Sequence, residues 1–115
     1  MKNDKLDGLF DLFRTTLFLC SDLVSDAKEI PALSADNRNL ERLLSILKDK
    51  EAFDLFQLTS LHAALERYRG GIAHIYMRNP GNTFFEALSR RLDSLRDMAG
   101  ACIENYREFV GGDKD

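Results

Sequence analysis

Residues Thr83 to Phe109 read TFFEALSRRLDSLRDMAGACIENYREF. Phe85, Leu88, Leu92, Leu95, Ala99, Cys102, Tyr106 and Phe109 recur three or four positions apart, so in a helix they form one apolar stripe. Thr83 with Glu86 three residues on has the pattern of a capping box at its start, and Gly111-Gly112 marks its end. A helix this long with a continuous apolar seam is stable only when other elements cover the seam.

The covering elements lie upstream. Leu6, Leu9, Phe10, Phe13, Leu17, Cys20, Val24 and Ala27 carry the same spacing and predict a long first helix. Pro31 stops it, because proline has no N–H to give and disfavours helix at Ile30. Ser34 or Asp36 can cap a second helix with Leu40, Leu43, Leu44 and Leu47 on its face. A break is expected near Lys48 to Glu51, and Leu55, Leu58, Leu61, Leu65 and Tyr68 then line a third helix. Arg78-Asn-Pro-Gly-Asn82 reads as a turn. No segment alternates with period two. The fold class is therefore all-α, a helical bundle of four main helices plus a short motif-bearing helix after Gly70-Gly71. It forms a single domain over residues 1–115, with 110–115 expected to fray.

Composition narrows the function classes. The chain has 115 residues, 44% of them hydrophobic and 30% charged, which suits one folded domain. The apolar segment Leu9 to Val24 carries Asp11, Arg14 and Asp22, which argues against a signal peptide or a membrane span and predicts a cytoplasmic protein. Cys20 and Cys102 each fall on an apolar stripe and are expected to be buried free thiols. The two cysteines and two histidines do not make a closed zinc ligand set, so no metal and no cofactor is expected. The net charge of −3 argues against a general nucleic-acid coat. Residues 66–91 nevertheless hold Arg67, Arg69, Arg78, Arg90 and Arg91 against Glu66 and Glu86. An acidic body with one arginine-rich segment suits a localised anion site.

Within that segment, Arg69 to Tyr76 reads RGGIAHIY. Histidine exchanges a proton near neutrality, and arginine holds a phosphoryl oxygen as charge develops on it. RNA supplies its own nucleophile, the 2′-hydroxyl, so such a site needs no nucleophilic side chain. If the helix runs through the glycines, Arg67, His74 and Arg78 share a face with a bare backbone patch between them, and Arg69 points away. If the glycines break the helix, Arg69 swings beside His74 and the N–H groups of a new helix join the site. Both arrangements satisfy the sequence. Tyr76 can stack on a base or hydrogen-bond a phosphate, and His62 reads as a surface or interface residue.

The octapeptide resembles the R-x4-H-x-Y motif of HEPN-domain ribonucleases, as do the helical architecture and the size. The residue after the arginine departs from the family's usual polar choice, being Gly70 here. The resemblance implies a metal-independent endoribonuclease of a toxin or defence system, with Arg69 and His74 catalytic and Arg67, Tyr76 and Arg78 binding RNA. It also implies an up-and-down bundle acting as a homodimer, and a cognate antitoxin such as a nucleotidyltransferase that can modify Tyr76. A different class also fits the acidic body and the many aromatics: a non-enzymatic helical module (an adaptor, antitoxin or inhibitor) or a catalytically inactive nucleotide-binding relative.

Overall fold

The computed structural model describes residues 4–112, which form four α-helices in chain order. They are α1 (Asp4–Asp26), α2 (Ser34–Leu47), α3 (Leu55–Arg78) and α4 (Thr83–Gly112), with a 3-10 turn at Pro31–Leu33 leading into α2. Each helix packs on its chain neighbours, and α1 also packs on α4, closing the ring. Short connections make successive helices antiparallel, the up-and-down arrangement the apolar stripes call for. No helix of the described residues is long and apolar enough to cross a membrane. The last helix continues through Gly112, and residues 113–115 of the expected frayed end lie outside the described residues.

The stripes predicted from spacing supply the core. Phe13, Cys20, Leu40, Leu61, Leu65, Leu92 and Cys102 are all fully enclosed, as is Leu23, which the predicted stripe did not include. The connection between α2 and α3 is anchored by Phe53, whose ring meets Phe10 and Phe13 edge-on at centroid distances of 5.5 and 4.6 Å. The Arg14 guanidinium donates to the Glu51 carbonyl at 2.8 Å and ties the same connection to α1.

One buried polar chain fixes the register of three elements. The Tyr68 hydroxyl donates to Asn37 Oδ1, and Asn37 Nδ2 donates to the Ala27 carbonyl at 3.1 Å, just past the end of α1. These groups satisfy one another where water does not reach. At about the same level Arg91 of α4 pairs with Asp26 of α1 at 2.7 Å. From there α3 continues to Arg78, and α4 begins at Thr83, well before Arg91. The α3–α4 hairpin thus extends about two helical turns past the end of α1.

Three local expectations change. The separate motif-bearing helix is absent, because α3 runs unbroken through Gly70 and Gly71 to Arg78. Tyr68, Ile72 and Ile75 carry the buried stripe across the glycines. Burying the two isoleucines stabilises by about 1.5–3 kcal/mol each, more than the roughly 2 kcal/mol that two helical glycines cost. The start of α4 is capped one residue earlier than expected: Asn82 Oδ1 accepts from the Phe85 N–H at 3.1 Å, while Glu86 pairs with Arg90. Neither Ser34 nor Asp36 caps α2, since the 3-10 turn feeds straight into it and Leu33 stands at the cap position. A reciprocal capping box does exist at Asp54 and Gln57, where α3 begins.

Candidate functional site

The unbroken α3 decides which motif residues meet. At about 100° per residue, Arg67 and Arg78 lie within about 20° and 40° of His74 around the axis. They stand about 10 Å before it and about 6 Å after it along the axis. All three side chains are exposed. Among the described residues no hydrogen bond or ion pair engages the His74 or Arg78 side chain. Arg69 is turned about 140° from His74, and its Nε donates to Asp93 Oδ1 of α4 at 2.7 Å. Tyr76 is half-buried, two turns beyond Arg69 on that same α4-facing flank. The structure therefore groups Arg67, His74 and Arg78 and separates Arg69 and Tyr76 from them.

Other arginines of the basic segment are also committed. Arg90 pairs with Glu86 one turn away, and Arg91 with Asp26. Glu66 pairs with Arg96 at 3.4 Å rather than with either neighbouring arginine. Among the described residues of the basic segment, the arginines without an ion pair are thus Arg67 and Arg78, on the face of α3 that bears His74. His62 is partly buried, its ring near Gly100 of α4, in keeping with a packing role.

The two glycines differ. A methyl group on Gly70 would meet nothing within 4 Å, whereas one on Gly71 would lie 2.5 Å from Asp36 Oδ2 and 3.3 Å from Leu33 Cδ2. The patch beside Gly71, expected to be bare, is therefore filled by a carboxylate. Burial raises the Asp36 carboxyl above its ordinary range, and the charge of Arg67 draws it back. Asp36 is a site residue the sequence did not flag, because its neighbours there lie on another helix.

Burial also pushes the Tyr68 phenol above its usual range, with the Asp36 charge adding to the effect. Both cysteines are free and buried as expected, and burial raises Cys20 to about 12 and Cys102 to about 11. Among the described residues no group of three or more His, Cys, Asp or Glu side chains could hold a metal ion. No family model matches the chain, and comparisons with curated proteins and with solved structures find no match either.

Proposed function

We propose that the Arg67–His74–Arg78 face binds RNA and that the protein is a metal-independent endoribonuclease similar to the HEPN type, serving as a toxin or defence effector, with Arg67 and Arg78 rather than the motif's Arg69 acting beside His74. The observation that carries this is an exposed histidine grouped on one helical face with two exposed arginines, on a hairpin that extends past the end of α1. Arg78, one turn from His74, stabilises the pentacoordinate anion, and Arg67, farther along the face, holds a neighbouring phosphate of the strand. His74 removes the proton of the 2′-hydroxyl, whose oxygen attacks the adjacent phosphorus and expels the 5′-oxygen, which takes up a proton from water. The products are a 2′,3′-cyclic phosphate and a 5′-hydroxyl. Arg69 has a structural role in this reading, clamping α3 to α4 through Asp93. Cleavage of labelled RNA in EDTA by wild type and His74→Ala, with analysis of the ends, tests it. Cutting by wild type alone, with cyclic phosphate ends, is expected; equal cutting by both proteins rules His74 out.

A second reading, the non-enzymatic interaction module, is favoured by Phe18. The residue is 67% exposed beside a 480 Å³ groove between α1 and α2 that includes Leu17 and Leu44. Under that reading a protein partner binds the groove, Phe18→Ser abolishes the complex, and His74→Ala changes nothing.

A further inference from the structure

Asp36 stands where a carboxylate is least expected, in the middle of the basic face. Its Oδ2 occupies the space a side chain at Gly71 would need. Gly71 lies one turn after Arg67 and about one turn before His74, so the carboxylate sits between the two cationic ends of the face. The backbone that carries it is fixed there. Asp36 belongs to the first turn of α2, where an acidic side chain is favoured by the helix dipole. The next residue, Asn37, is locked by Tyr68 and the Ala27 carbonyl.

We propose that Asp36 makes this face selective for an extended polynucleotide strand over compact polyphosphates, an inference that rests on the RNA reading above. Arg67 and Arg78 stand about 16 Å apart along the helix axis. A strand, whose charges are spread one per nucleotide, reaches both arginines and brings only one of its several phosphates near the carboxylate. A nucleoside triphosphate crowds its charge into one place. It cannot reach both ends, and wherever it contacts Arg67 it also meets Asp36. The carboxylate therefore penalises the compact anion far more than the strand.

The test compares wild type, Asp36→Asn and Asp36→Glu, each first shown by thermal unfolding to be folded. Binding of a short 2′-O-methyl oligonucleotide, which cannot be cleaved, and of ATP is measured in EDTA at low salt and mildly alkaline pH. Asp36→Asn should bind ATP about tenfold more tightly while its oligonucleotide affinity changes less than about threefold, and Asp36→Glu should behave as wild type. A proportional gain for both ligands, or no gain for ATP, overturns the role of Asp36. Failure of wild type to bind the oligonucleotide overturns the RNA reading itself, and failure to cleave RNA with binding intact overturns only its catalytic part.

Discussion

Replacing each of the paired glycines by alanine should separate two residues that look equivalent in sequence. Gly70 lies inside α3, its φ is not positive, and a methyl there meets nothing within 4 Å. Gly70→Ala should therefore gain the full helix-propensity difference, about 1 kcal/mol. With an unfolding entropy of about 2.1 cal/mol/K per residue, a domain of this size should gain about 4 °C in Tm. Gly71→Ala has the same propensity gain but places its methyl 2.5 Å from Asp36 Oδ2 and 3.3 Å from Leu33 Cδ2. The carboxylate can rotate away, but Leu33 is fully buried and must shift. Overpacking of this kind costs about 1–3 kcal/mol, so Gly71→Ala should be neutral or destabilising. Adding Asp36→Ala to Gly71→Ala should recover part of the difference. Urea and thermal unfolding with unchanged m-values provide the measurement. A destabilised Gly70→Ala would mean that the backbone is not helical at Gly70. Equal stabilisation by both alanines would mean that Leu33 and Asp36 are not packed against Gly71.

Three other outcomes follow from the packing. Tyr68→Phe leaves Asn37 Oδ1 without its buried donor and should cost about 1–3 kcal/mol in urea unfolding. The raised Tyr68, Cys20 and Cys102 values mean that the folded chain holds protons the unfolded chain releases. Stability should accordingly be unaffected below the ordinary thiol range and fall as pH rises above about 9; the thiols should resist Ellman's reagent until the chain unfolds. Asn82→Ala should cost about 1 kcal/mol as the loss of the true cap of α4, whereas Thr83→Ala should change stability by only a few tenths; the reverse order would restore the cap to Thr83.

The helices were legible because leucine and phenylalanine stripes recur at helical spacing over several turns, and Pro31 and the Asn79–Asn82 turn interrupt them unambiguously. Gly81 in that turn has φ +85°, a conformation glycine adopts without strain. What was not legible depended on contacts between elements. Local propensity argues for a break at Gly70-Gly71, and it is Ile72, Ile75 and the packing of Leu33 that carry the helix through. That continuity moves Arg69 to the α4 flank, where Asp93, distant in sequence, takes it up. The same holds for Asp36: nothing near it in the chain shows that it meets α3. The Asp54–Gln57 cap, by contrast, is visible in the local pattern, just past the expected break at Lys48 to Glu51.

The central claim is that the working face of α3 is Arg67–His74–Arg78 and that Arg69 is structural. Its most direct test is the rate of RNA cleavage in EDTA by wild type, Arg67→Ala and Arg69→Ala, each shown to be folded. Arg69→Ala should lose no more than about 1 kcal/mol of stability, as a half-exposed ion pair does, and keep most of its activity. Arg67→Ala should lose about tenfold or more in kcat/KM, the scale expected for a lost charge-assisted phosphate contact. The opposite ranking, with Arg69→Ala inactive and Arg67→Ala active, would contradict the account.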